Sequence, residues 1–173
     1  MVASEVHPFA KTGGLADVLG ALPRALARLG HDVDVVMPRY RHVNAGTLIG
    51  QLSIIHGGQV DQVDLFAAVE DRVRTVFVSH AAYFERDHLY GVASHDYPDN
   101  PERFAFAGQA ALTWARSTGQ HYDVVHAHDW QAGLVPLQLQ RMAPEWPDSV
   151  RTARVFTIHN IAYQGVFDAS WLP

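Results

Sequence analysis

A short apolar strand, Val2–Glu5, gives way through Lys11-Thr12-Gly13-Gly14 to a run in which Leu15, Val18, Leu19, Leu22, Leu26 and Leu29 recur at helical spacing. That spacing gathers them on one stripe of a helix, which Gly30 stops. Asp32-Val33-Asp34-Val35-Val36-Met37 then reads as a second strand, ended by Pro38. Two strands joined by one crossover helix run parallel, because the helix returns the chain to the end of the sheet where it began. This unit commits the chain to an α/β fold.

The rest of the chain extends the pattern. Thr47–Ile55, Gln62–Val69 and Arg72–Ser79 are β-rich runs broken by Gly57-Gly58 and Glu70-Asp71. They predict either a small antiparallel insertion or an edge of the main sheet. A polar, irregular stretch, 84–101, leads to a helix over 102–118, with Asn100 as its cap and Pro101 at its first position. Asp123–Ala127 reads as a strand, Gln131–Met142 as a helix and Ala153–Ile158 as a further strand. The 173 residues make about one domain, and 48% hydrophobic content is enough to bury a core.

Candidate site residues cluster after strands. Lys11, Gly13 and Gly14 follow the first; His126, His128, Asp129 and Trp130 follow the strand at Val124; His159 and Asn160 follow the one at Val155. In open α/β sheets ligands bind at that edge. A lysine with two glycines before a helix N-terminus favours phosphate, since the helix end presents unpaired N–H groups and glycine lets the ligand approach. Asp129 reads as a carboxylate for sugar hydroxyls or as a helix cap, and the two roles are compatible. His126, His128 and Asp129 could also ligate a metal, although the turn at Trp130 splits their directions and no third ligand stands at motif spacing. His126 and His159 read equally as buried structural histidines.

Several function classes are excluded. With 13 basic against 18 acidic residues and no Lys/Arg cluster, the chain has no nucleic-acid surface. It lacks cysteine, hence any disulfide framework or thiolate chemistry. No apolar run reaches the roughly 20 residues of a membrane span, and a cytoplasmic protein is expected. Neither a Gly-x-Ser-x-Gly elbow nor a Gly-x-Gly-x-x-Gly fingerprint is present, against a serine hydrolase and a nicotinamide enzyme.

Four ordered blocks carry a resemblance: Ser4-Glu5-Val6-His7-Pro8-Phe9-Ala10-Lys11-Thr12-Gly13-Gly14-Leu15-Ala16-Asp17-Val18; Asp96-Tyr97-Pro98-Asp99-Asn100 with Arg103-Phe104; His126-Ala127-His128-Asp129-Trp130; and Thr157-Ile158-His159-Asn160-Ile161-Ala162-Tyr163-Gln164-Gly165. The chain resembles bacterial glycogen synthases and plant starch synthases, glycosyltransferase family 5. The resemblance implies a Rossmann-like, mostly parallel sheet with helices on both faces, the N-terminal half of a GT-B glycosyltransferase. It implies transfer of glucose from ADP-glucose to the non-reducing end of an α-1,4-glucan (glycogen or starch), with retention, without metal or cofactor, in the cytoplasm or, in a plant, the plastid.

On the same basis His159 and Asp129 are the expected catalytic contacts. Lys11, Gly13 and Gly14 are expected at the donor phosphates, and Tyr90, Trp130 and Asn160 on the acceptor side. The chain opens with a shorter strand than the family's and closes at Trp171-Leu172-Pro173. It is therefore expected to be an incomplete first domain, 1–173, lacking the C-terminal donor-binding domain and inactive alone. Gln131 stands where some members carry histidine. The alternatives are a glucan-binding half-site without turnover, and a metal-dependent hydrolase on His126, His128 and Asp129.

Overall fold

The computed structural model describes residues 1–93, 95–168 and 171. The elements, in order, are α1 (Gly14–Arg28), β1 (Val33–Pro38), β2 (Thr47–His56), β3 (Gln59–Glu70), β4 (Val73–Ser79), α2 (Ala81–Phe84), β5 (Gly91–Val92), β6 (His95–Asp96), α3 (Asn100–Ser117), β7 (Val124–His128), α4 (Val135–Arg141) and β8 (Ala153–Thr157). Short 3-10 turns occupy Trp130–Ala132 and Pro147–Arg151.

One mixed sheet organises the molecule. Its first part has the order β1-β4-β3-β2, with β1 parallel to β4 and the meander β4-β3-β2 antiparallel. β7 and β8 are parallel partners. Val2 joins the two parts, bridging Val36 of β1 on one side and Ala127 of β7 on the other, both parallel. Its N–H donates to the His126 carbonyl at 2.9 Å, and the Ala3 N–H donates to the Val36 carbonyl at 3.1 Å.

The centre of this sheet is covered on both faces. Val35, Val36 and Met37 of β1 are consecutively buried, as are Thr75, Val76, Phe77 and Val78 of β4. Consecutive burial means neither face meets water, the mark of a parallel sheet with helices on either side. Phe9 meets Phe77 edge to face at 4.9 Å. Asp34 adds a polar clamp, accepting from Arg74 Nε (2.8 Å) and Nη2 (2.6 Å) and from the Tyr122 hydroxyl (2.8 Å).

Several boundaries differ from the sequence expectation. The opening strand contracts to a bridge at Val2, because Ser4 and Glu5 turn into the loop. The β-rich middle is an edge of the main sheet, with β4 paired to β1. Leu29 caps α1 and is 76% exposed; the buried stripe runs through Leu15, Ala16, Leu19, Pro23 and Ala27 instead. Asn100 is the first residue of α3 and Asp99 its cap position, with no side-chain capping bond. Asn100 is wholly buried and its amide serves Tyr90 instead. The helix expected over 131–142 is broken into the 130–132 turn and α4, with Gly133 closing the turn and Pro136 near the start of the helix.

Candidate active site

The parallel strands end at one edge, and adjacent strands bring the predicted clusters together. β7 pairs with β8 so that His128 lies opposite Thr157, and the Asp129 N–H donates to the Thr157 carbonyl at 2.9 Å. The next residues beyond each strand therefore meet. Asp129 Oδ1 accepts from the His159 N–H at 2.6 Å. Asp129 is buried, and its backbone has φ 55° and ψ 179°, a region that residues other than glycine rarely occupy. Such strain persists only where the surroundings fix it, and here the carboxylate bond across to β8 does so. Asp129 makes no side-chain capping bond, so the cap reading of its carboxylate gives way to a strap between two strand ends.

Three histidine rings stack beside this strap. His126 and His128 lie 3.9 Å apart between centroids, and His128 and His159 5.2 Å apart. His128 Nδ1 and His159 Nε2 share a hydrogen bond of 2.9 Å, and His126 Nε2 meets Thr157 Oγ1 at 2.7 Å. Burial, then the neighbouring His126 and His159, pushes the His128 pKa down to about 3, and burial lowers that of His126. His128 is thus a neutral, wholly buried spacer under His159, with its Nε2 unpartnered. Among the described residues no group of three or more His, Asp or Glu is arranged to hold a metal ion.

The glycine loop is built differently from the sequence expectation. Gly13 is the cap position of α1 and Gly14 its first residue, both exposed. Lys11 Nζ contacts both Asp17 carboxylate oxygens, at 2.6 and 2.8 Å, on the exposed surface. The N–H groups of Thr12 and Gly13 already have a partner, the buried carboxylate of Glu5. Glu5 also accepts from Thr12 Oγ1 at 2.7 Å and from the Tyr90 hydroxyl.

Sequence reasoning passed over Glu5. The signal was an acidic residue inside the apolar stretch Val2–Val6, since a buried carboxylate requires donors. Arg103 was overlooked as a buried group as well: it is fully enclosed, donates to the Leu89 carbonyl at 2.6 Å, and lies over the rings of Phe84, Tyr97 and Phe104.

Beyond the strap, Trp130 packs edge to face on Phe104 at 5.3 Å, and the backbone of Gly165 lies against its indole. Gly165 has φ +63°, and a Cβ there would fall 2.7 Å from the ring. Trp130 lines an open, largely apolar groove of about 790 Å³ together with Phe104, Ile158, Tyr163 and Phe167. Asn160 is exposed and its side-chain oxygen accepts from the Ala162 N–H at 3.0 Å. Asp129 and His159 are brought into contact, with Trp130 next in the chain to Asp129. Gly13 and Tyr90 meet at Glu5, beyond the Val2 strand that lies beside β7, with Lys11 and Gly14 next to this contact in the chain and Lys11 turned to Asp17.

The α/β fold with its mixed sheet matches part of a starch synthase catalytic domain, a GT-B glycosyltransferase. The catalytic domain of starch synthase IV from Arabidopsis thaliana, bound to ADP and acarbose, superimposes with a TM-score of 0.82 and 29% identity, covering 95% of this chain and 34% of that one. The family profile of the starch synthase catalytic domain matches residues 1–173, and the chain belongs to that family. It is 47% identical over 175 residues to glycogen synthase 2 of Geobacter sulfurreducens, covering 98% of this chain and 36% of that protein. It is 44% identical over 172 residues to the glycogen synthase of Myxococcus xanthus, covering 96% and 36%. The chain thus spans about a third of the length of the curated relatives it matches.

Proposed function

We propose that this chain supplies the N-terminal wall of a cleft in which glucose passes from ADP-glucose to the non-reducing end of an α-1,4-glucan with retention. In the full-length protein, a cytoplasmic enzyme, a second domain would hold most of the nucleotide. The observation that carries this reading is the Asp129–His159 strap, at the strand-end edge of a family member's Rossmann-like half.

The chemistry follows from what each group can still do. Retaining transfer places positive charge on the sugar ring and negative charge on the departing diphosphate. Groups that bind these charges more strongly in the transition state than before it lower the barrier. Among the described residues Lys11 is held by an exposed pair with Asp17, and such pairs are worth about 0–1 kcal/mol, so it exchanges readily onto a phosphate. Gly13 and Gly14 leave the space beside α1 open for close approach. His159, with Nε2 engaged by His128 and its N–H by Asp129, is fixed in orientation and keeps Nδ1 for the glucose. Asp129 then acts chiefly through His159. Trp130 and Asn160 border the acceptor path; a Tyr90 contribution there would use its ring, since the hydroxyl is engaged.

The test is ADP release from ADP-glucose and glycogen by the full-length protein, with UDP-glucose as the competing donor. His159→Ala is expected to lower kcat about 100-fold with little change in KM for glycogen. Lys11→Ala should raise KM for ADP-glucose about tenfold, the worth of one charge-assisted contact. Absence of ADP release would falsify the reading, and wild-type rates in both variants would remove the site assignment.

A further inference from the structure

We propose that Glu5 is the positioning residue of the glycine loop and that Tyr90 ties it to α3, an inference that rests on the donor-phosphate reading of Lys11, Gly13 and Gly14. The Glu5 side chain is 3% exposed and faces four donors: the N–H groups of Thr12 and Gly13, Thr12 Oγ1, and the Tyr90 hydroxyl. Among the described residues every donor to Glu5 is neutral, so no side-chain cation shares its hydrogen bonds. These donors answer the lone pairs of a carboxylate that burial would otherwise disfavour.

The consequence is a division of labour inside one loop. The amides of Thr12 and Gly13 are ones an incoming anion would meet, and an internal anion already fills them. A diphosphate therefore has Lys11 and the first turn of α1 from Gly14 onward. The Lys11–Asp17 pair is exposed and exchangeable; the Glu5 cluster is buried and stays. Glu5 fixes the backbone, and Lys11 swings.

Tyr90 extends this placement. Its hydroxyl meets Ser4 Oγ at 2.7 Å as well as Glu5. Burial, with the nearby Glu5, keeps the phenol well above its ordinary range, so it remains a donor. Its backbone is held from α3: the Asn100 amide donates to the Tyr90 carbonyl at 2.9 Å, and Arg103 Nη1 donates to the Leu89 carbonyl at 2.6 Å. Both Asn100 and Arg103 are fully buried in the first turn of that helix. The block at 96–103 thus supports the donor loop without touching it.

The experiment is a double-mutant cycle in the full-length protein: Glu5→Ala, Tyr90→Phe and the double variant, with Glu5→Gln as the conservative form. Two readouts are taken, steady-state kinetics and amide exchange across residues 10–16. Glu5→Ala is expected to raise KM for ADP-glucose about tenfold while KM for glycogen stays within about twofold, with Glu5→Gln between it and wild type. Tyr90→Phe should move the donor KM the same way by about threefold, and the double variant should be no worse than Glu5→Ala. Exchange at Thr12 and Gly13 should quicken about tenfold in Glu5→Ala while β1 and β4 keep their protection.

Unchanged exchange at Thr12 and Gly13 overturns the proposal, as does a strictly additive cycle. If Glu5→Ala does not fold, exchange in Tyr90→Phe decides. A wild-type protein that ignores ADP-glucose sinks the donor reading alone, because the exchange cycle still reports on Glu5.

Discussion

At the scale of single residues, Asp129 sets two effects against each other. Its backbone at φ 55° carries a strain of about 1–3 kcal/mol that glycine would relieve. Its carboxylate bond to the His159 N–H is worth about 1.5–3 kcal/mol, as for hydrogen bonds to charged groups. The terms nearly cancel. Asp129→Gly is therefore expected to leave the denaturation midpoint within about 1 kcal/mol of wild type and to lower turnover about 100-fold, because His159 loses its strap. A large fall in stability instead would show that the carboxylate matters more to the fold than to His159.

His128 makes a second residue-scale prediction. Its folded pKa of about 3 lies below the unfolded value of 6.5, so the unfolded chain binds the extra proton first. Stability then rises with pH between these values and is untouched by this group above 6.5. Urea unfolding at pH 5 and pH 7 should differ by roughly 2 kcal/mol through this ring, and His128→Gln should flatten the difference.

At the scale of elements, periodic segments were readable and aperiodic ones were not. The apolar spacing from Leu15 to Leu29 announces α1, although the structure buries Ala16, Pro23 and Ala27 rather than Leu29, and Val33–Met37 and Val155 announce buried or edge strands by their branched residues. The clusters His128-Asp129 and His159-Asn160 were legible because each lies at the carboxyl end of a strand. What stayed hidden depends on contacts remote in sequence: Asn100 serving Tyr90, Glu5 filling the loop, His128 under His159. The break before α4 was visible only as Gly133 and Pro136, whose local preferences overrode the helical spacing of 131–142.

One glycine shows how closely the elements fit. A Cβ on Gly108 of α3 would lie 2.6 Å from the Gln138 side chain and 2.9 Å from Val135, both on α4. Gly108→Ala gains about 1 kcal/mol of helix propensity but sets its Cβ against buried Val135 and against a Gln138 held by its bond to the Ala105 carbonyl, so it should lose about 1 kcal/mol net. Gly108→Val presses a branched side chain onto Val135 and should lose about 2–3 kcal/mol in thermal or urea unfolding.

At the scale of the whole molecule, polarity is uneven. The central strands are dry on both faces, whereas in β8 Val155 is 40% and Phe156 45% exposed, with Ile158 at 59% just beyond. Among the described residues β8 pairs only with β7. An edge with free backbone donors and apolar side chains invites another chain. The chain of 173 residues, produced by itself, should therefore self-associate, and Phe156→Lys should shift light scattering toward the monomer. A monomer at high concentration without the substitution would contradict this.

The paired bridges at Val2 have a mechanical corollary. Among the described residues the backbones of a four-stranded slab and a two-stranded flap are joined through Met1–Ala3, and the Tyr122–Asp34 bond adds a side-chain link between them. Loosening that join would let the flap bearing Asp129 and His159 breathe as its own cooperative unit while the slab keeps its shape. Motion of the flap against the slab is thus eased along the Val2 seam, and softening it by Val2→Gly would show first as faster deuterium uptake in β7 and β8.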